Sequence, residues 1–256
     1  MIRSTQRFRS PAPPSNTGSL DGVILVDKPA GPTSHDIVDK IRHHFRLDKV
    51  GHGGTLDPAA TGLLAILIGK GTKLSNTFLG SDKVYEGVMK LGEATNTFDA
   101  EGTITATGDA STVTEDALRQ AIRKFTGDIM QLPPMVSAVK INGVPLYKSA
   151  RKGIEIERKP RLVHVYEFAL LRFENPNADI MIRCTKGTYI RSLCNDVGET
   201  LGCFAHLASL KRTCSGSFFL KDAIKFDDLM NMHVEDLHNV VIPLKRFSPS
   251  ATMTQQ

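Results

Sequence analysis

Lys49-Val50-Gly51-His52-Gly53-Gly54-Thr55-Leu56-Asp57-Pro58-Ala59-Ala60-Thr61-Gly62 runs directly into Leu63-Leu64-Ala65-Ile66-Leu67-Ile68, and the change of character along this stretch decides how the chain is read. Glycines at 51, 53 and 54 remove the Cβ barrier to unusual dihedrals and to close approach of a ligand. One carboxylate follows, Asp57, stiffened by Pro58, which disfavours helix at the residue before it. The apolar run 63–68 then has the length and content of a buried strand. A loop that ends in a stiffened acid and enters the core can hold that acid at a cleft wall. An ordinary Asp-Pro turn gives the same local pattern, so the rest of the chain must decide.

On the N-terminal side, Gly22-Val23-Ile24-Leu25-Val26 reads as a short strand. Thr33-Ser34 then caps a helix with Ile37, Val38, Ile41 and Phe45 on one face. Residues 1–19 carry three arginines, three prolines and no acid, the composition of a disordered basic tail without the apolar face of a transit peptide.

On the C-terminal side, Gly69-Lys70-Gly71-Thr72 has a superficial likeness to a phosphate loop. The glycine that such a loop needs upstream is Leu64, and Lys70 is followed by Gly71, so no nucleotide cofactor is expected. Val84–Leu91 reads as a strand followed by a polar loop from Gly92 to Gly102, and Thr114–Phe125 as an amphipathic helix closed by Gly127. Two strands, Val163–Phe173 and Ala178–Cys184, are joined by a tight connection over 174–177. Lys186-Gly187-Thr188 opens a helix with Ile190, Leu193, Cys194, Val197 and Leu201 as its stripe, ending at Gly202. Arg191 lies near the start of that helix, where the macrodipole disfavours a cation, so it needs an anionic partner or open solvent. The apolar segments 226–230 and 240–244 are expected to pack on the same core, and 246–256 to form a tail.

The chain has 256 residues, 41% hydrophobic and 23% charged, ordinary for a globular protein, and no apolar run approaches a membrane span. A net charge of +5 admits a polyanionic partner. The charge is concentrated: between Lys140 and Arg161 seven basic residues face two acids, in a segment where prolines interrupt regular structure. A solvated surface loop is the plain reading of such a run. Cysteines at 184, 194, 203 and 214 form no C-x-x-C pair, and the eight histidines show no H-x-x-x-H spacing. Reduced thiols and no metal site are the expectation.

Gly51–Leu64 closely resembles the catalytic motif of TruB-type tRNA pseudouridine synthases, with one departure, Gly53, where the family usually has threonine. Five further motifs match in order: Asp27-Lys28-Pro29-x-Gly31-x-Thr33-Ser34; Lys83-x-Tyr85 with Leu91-Gly92-x-x-Thr95-x-Thr97-x-Asp99-x-x-Gly102; the basic segment from Gln131 to Gly153; Cys184-x-Lys186-Gly187-Thr188-Tyr189-Ile190-Arg191-Ser192-Leu193; and Leu207-x-x-Leu210-Lys211-Arg212-x-x-x-Gly216-x-Phe218. The resemblance implies an α+β pseudouridine synthase fold: a long mixed, mostly antiparallel sheet flanked by helices, with a cleft across its middle. It makes 20–245 the catalytic domain and about 130–160 an RNA-gripping thumb insertion, and the chain ends before the further C-terminal RNA-binding domain that many relatives carry.

The same resemblance implies an enzyme that isomerises uridine 55 in the T-arm loop of tRNA, without cofactor or metal; a cytoplasmic setting is expected from the cysteines, and a monomer is the expectation for its assembly. Asp57 would be the essential acid, Arg191 its partner and Tyr85 the active-site tyrosine. His52 would help displace the loop nucleotide, Tyr189 and Leu210 would line the uracil pocket, and Lys28 would belong to the substrate contacts. Lys140, Lys148, Arg151 and Lys152 would neutralise T-arm phosphates. Two routes stay open for the carboxylate, attack at C1′ and assistance to proton loss at C2′. A non-catalytic RNA-binding module is the main alternative, and a metal-dependent hydrolase a distant third. Binding alone needs neither Asp57, Tyr85 nor Arg191.

Overall fold

The computed structural model describes residues 20–135, 137, 140–141, 144–145, 154 and 156–247, with 140–141 and 144–145 described by their backbone. The expected tail over 1–19, the end of the chain from 248, and Lys148, Arg151 and Lys152 lie outside the described residues. Strand β1 (Gly22–Lys28) sends Ile24 and Val26 into one buried cluster and Val23 and Leu25 into another. Two strands on, β3 (Thr61–Ile68) repeats the pattern, with Leu64, Ile66 and Ile68 on one side and Leu63, Ala65 and Leu67 on the other. Apolar side chains at successive positions are what a strand covered on both faces requires. The two pair antiparallel from Gly22↔Ile68 to Lys28↔Gly62. Helix α1 (Ser34–His44) packs Ile37, Val38 and Ile41 onto one of these clusters. Its start is a capping box in which Thr33 and Asp36 each accept the other's backbone N–H.

The second half of the molecule is built from β4 (Lys83–Leu91), β7 (Gly127–Gln131), β10 (Arg161–Glu174) and β11 (Asn177–Cys184), all antiparallel. Along β11 the buried residues alternate, Ala178, Ile180, Ile182 and Cys184, so one face meets the core and the other solvent. The helices α3 (Glu115–Arg123) and α4 (Ile190–Leu201) close the core face with Leu118, Ile122, Leu193 and Val197. Gly202 ends α4 in the left-handed conformation, φ +74°.

One strand joins the halves. β12 (Ala205–Ser215) pairs with β4 from Ala205↔Leu91 to Ser215↔Lys83, but with β3 only at Lys211↔Thr61 and Arg212↔Gly62, where the strands are parallel. At this seam a Cβ on Gly62 would come 2.4 Å from the Arg212 carbonyl oxygen, and Gly62 has φ +96°, so glycine is required. The resulting sheet has eleven strands, ordered β14 (Ile224–Lys225), β1, β3, β12, β4, β11, β10, β7, with β2 (Val50–His52), β13 (Phe218–Phe219) and β15 (Ile242–Pro243) paired off that path. Among the described residues only β1–β14 and β3–β12 are parallel, which gives the mixed, mostly antiparallel α+β fold expected.

Two small hairpins stand apart, β5 (Glu93–Thr95) with β6 (Ile104–Thr107), and β8 (Lys140–Ile141) with β9 (Val144–Pro145). Short helices complete the frame, α2 (Ser75–Gly80) and α5 (Phe226–Met230), the latter burying Phe226 and Leu229 in the cluster beneath α1. All four cysteines are free; Cys184, Cys194 and Cys203 are buried, and burial pushes the Cys184 thiol up to about 11. No helix among the described residues is long and apolar enough to cross a membrane.

Candidate active site

Every residue beside Asp57 is fastened to the scaffold. Arg212, from the seam, donates to the carbonyls of Gly54 at 3.1 Å and Thr55 at 3.3 Å. Ser34, the first residue of α1, grips Leu56 on both sides: its hydroxyl accepts from the Leu56 N–H at 2.8 Å and donates to the Leu56 carbonyl at 3.1 Å. The Pro58 carbonyl accepts from the Gly31 N–H at 2.9 Å and from Lys28 at 3.0 Å, and the Asp57 carbonyl from the Ala60 N–H at 3.1 Å. The glycine-rich loop is therefore latched at each step, and the Asp57 side chain projects from it about half exposed.

Arg191 meets it there. Its Nε lies 3.0 Å from Asp57 Oδ2, and its Nη1 lies 3.4 Å from Asp99 Oδ2 and donates to the Thr97 carbonyl at 2.9 Å. The guanidinium side chain is 5% exposed, so a buried cation is shared between a carboxylate open to the cleft and a second, more enclosed one. Of the two settings open to a cation at the start of α4, an anionic partner or open solvent, the structure has the first. A buried guanidinium with carboxylate and carbonyl acceptors is fixed in direction, and it fixes its partner in turn.

Asp57 and Arg191 open onto a cavity of about 290 Å³ whose wall also includes Tyr85, Tyr189, Leu210 and Arg212. That size falls near the lower end of the roughly 300–1,000 Å³ typical of small-molecule sites. Tyr85 stands opposite Arg212 on the β4–β12 ladder, and both Tyr85 and Leu210 touch the hydrophobic clusters of the two halves. Burial lifts the Tyr85 phenol above its ordinary pKa, with the Arg212 charge opposing, and burial likewise lifts Tyr189. Gln131 in β7 holds the Tyr189 backbone at both ends: its side chain accepts from the Tyr189 N–H at 2.7 Å and donates to the Tyr189 carbonyl at 3.0 Å.

Two expected residues stand off the cavity wall. His52 ends β2, and its Nδ1 accepts from the Gly54 N–H at 3.3 Å; burial, then the Arg212 charge, hold its pKa below that of an ordinary imidazole. Lys28 is fully buried, and its ammonium donates to the carbonyls of Pro29, Pro32 and Pro58. All three of its protons face the protein, which places it behind the aspartate loop, away from any ligand in the cavity. Burial lowers its pKa to about 8, with Asp57 opposing. Of Lys140 the backbone alone is described, in β8. Nothing in the sequence signals the site contacts of Asp99 and Arg212, or a part for Ser34 beyond the helix cap, although each lies in a motif quoted above.

Gly53 also has a physical account. A Cβ there would meet Phe78 Cβ at 2.6 Å, and Phe78 is buried and stacked on Phe218 at 5.2 Å between ring centroids. The phenylalanine of α2 occupies the space that a side chain at 53 would need.

Solved structures with this architecture define the class. The chain is similar to a chain of a Cbf5–Nop10–Gar1 complex (33% identity, TM-score 0.69), covering 88% of this chain and 60% of that one. It is also similar to a chain of an archaeal box H/ACA sRNP Nop10–Cbf5 complex (28% identity, TM-score 0.67), covering 91% and 63%. It thus spans about three-fifths of the length of these structural relatives, which share the pseudouridine synthase fold. The family description "TruB family pseudouridylate synthase (N terminal domain)" matches residues 42–190, and "tRNA pseudouridylate synthase B C-terminal domain" matches 191–247. The tRNA pseudouridine synthase B of Opitutus terrae is 47% identical over 231 residues, 90% of this chain and 96% of that protein. That of Pseudomonas aeruginosa is 46% identical over 217 residues, 85% and 71% of the two chains. The chain belongs to the TruB family of pseudouridine synthases, and it is an isomerase. The second matched part begins at Arg191 and contributes β12, so both parts build one sheet and one cavity.

Proposed function

We propose that this chain converts uridine to pseudouridine at position 55 in the T-arm loop of tRNA, in the cytoplasm, with Asp57 as the acting carboxylate. The observation that carries the reading is the 3.0 Å Asp57–Arg191 contact on the wall of a cavity lined by Tyr85, Tyr189 and Leu210. The reaction breaks the N1–C1′ bond, turns the uracil and forms a C5–C1′ bond, while the C5 proton leaves and N1 gains one. No oxidant, phosphate or metal enters that balance. Asp57 serves either route, attack on C1′ or easing of proton loss from C2′.

The target uridine leaves its stack, at a cost of a few kcal/mol, and enters the cavity. There Tyr85 stacks on the base, and Tyr189 and Leu210 hold it while it is unbonded. His52, at the end of β2 and off the cavity wall, presents its imidazole to the loop nucleotide it displaces. Lys28 acts through the Pro58 carbonyl and positions the loop. Lys140, Lys148, Arg151 and Lys152 neutralise phosphates of the T-arm, and recognition rests on the shape of the loop and the everted base. The test is mass-spectrometric mapping of an unmodified tRNA after incubation with the pure protein. Pseudouridine at position 55 alone is expected; product at other positions, or none, rejects the assignment.

A further inference from the structure

Arg191 shares its charge with two carboxylates, but a second guanidinium borders the same cavity with none. Arg212 is 3% exposed and lies within ion-pair distance of no carboxylate among the described residues. It donates instead to three carbonyls in two segments: Leu63 in β3 at 2.8 Å through Nε, Thr55 at 3.3 Å through Nη1 and Gly54 at 3.1 Å through Nη2. A buried cation without a counter-ion is an expensive way to hold a seam that apolar packing would hold as well. The planar fork does what no apolar side chain does: it reaches the strand and the loop together. Its backbone is paired with β3 at Gly62, so close that a Cβ there would come 2.4 Å from the Arg212 carbonyl oxygen, and its tip brackets the two residues that precede Leu56 and Asp57. The same charge, after burial, lowers the pKa of His52 and of Lys83, so it is felt around the cavity.

We propose that Arg212 is a positioning residue for the isomerisation: its guanidinium ties the Gly54–Thr55 turn to the β3–β12 seam and so holds Asp57 against the reacting ribose. This rests on the proposed role of Asp57.

The test compares the parent with Arg212→Lys, Arg212→Met and Arg212→Ala, using tritium release from C5-labelled uridine in a T-arm stem-loop, RNA binding and thermal unfolding. Arg212→Lys keeps charge and near-equal length, and stands in should the other variants fail to fold. The expected result is RNA affinity and KM within about threefold of the parent, with the loss confined to kcat. The size expected is about 10²-fold, that of a reacting group misplaced by about 1 Å. Guanidinium chloride should restore part of the Arg212→Ala turnover, beyond sodium chloride at equal ionic strength. Parent-like kcat in folded Arg212→Lys, a loss confined to KM, or equal rescue by both salts overturns the inference. A parent without turnover instead rejects the assignment of the reaction itself.

Discussion

At the scale of single residues, the role proposed for Asp57 requires a carboxylate held in one direction. Asp57 is half open to the cavity, so its direction comes from the buried side, where Arg191 is held in turn by Asp99 and the Thr97 carbonyl. Lysine in place of Arg191 keeps the charge but loses the fork that spans both carboxylates. Arg191→Lys is expected to lower kcat by about 10²–10³-fold, the scale of one preorganised electrostatic contact. RNA affinity should change little; an equal loss in binding would show that Arg191 acts on the RNA. Part of this arrangement is legible in the sequence, because a cation at a helix start needs either an anion or open solvent. Which anion is not legible: Asp99 sits in a polar loop, and nothing local distinguishes it from Glu93 or Glu101. Arg212 is harder still, since arginine is rarely buried and its partners are backbone carbonyls, which carry no sequence signal.

Among the elements, those with a clean period or a cap are readable. The capping box at Thr33 and Asp36, the stripe of α4 and the alternation along β11 all follow from spacing. β12 does not. Its Ala205–Ser215 run mixes His206, Ser209, Lys211 and Arg212 among apolar residues, and register shifts at Leu207/Ser209 and Arg212/Cys214 break the two-residue period. The strand that assembles the site is thus the one whose pattern is least strand-like. The contact between Gly53 and Phe78 belongs at this scale too, because it couples the aspartate loop to α2. Gly53→Thr is expected to destabilise the fold by about 1–3 kcal/mol through overpacking. Adding Phe78→Leu should recover part of that loss. Chemical unfolding of the single and double variants checks the coupling, and strictly additive effects would show that the loop adjusts without help from Phe78.

For the whole molecule, the joining of two half-sheets by a two-residue parallel seam explains why the cavity lies where it does. Asp57 comes from the half built on β1 and β3, Arg191 and Tyr189 from the half built on β4, β10 and β11, and Leu210 and Arg212 from β12 between them. No half owns the site, so it exists only in the closed fold. The expected thumb, with Lys148 and Arg151 outside the described residues, extends the account to RNA. If those side chains grip phosphates, replacing both by alanine should flatten the dependence of log K on log salt by about one unit each. An unchanged slope would place the RNA on another surface. The central claim, that one carboxylate carries the isomerisation, is tested most directly by Asp57→Asn in the tritium-release assay. The account predicts no release above background, with stem-loop affinity close to that of the parent; release at a substantial fraction of the parent rate would contradict it.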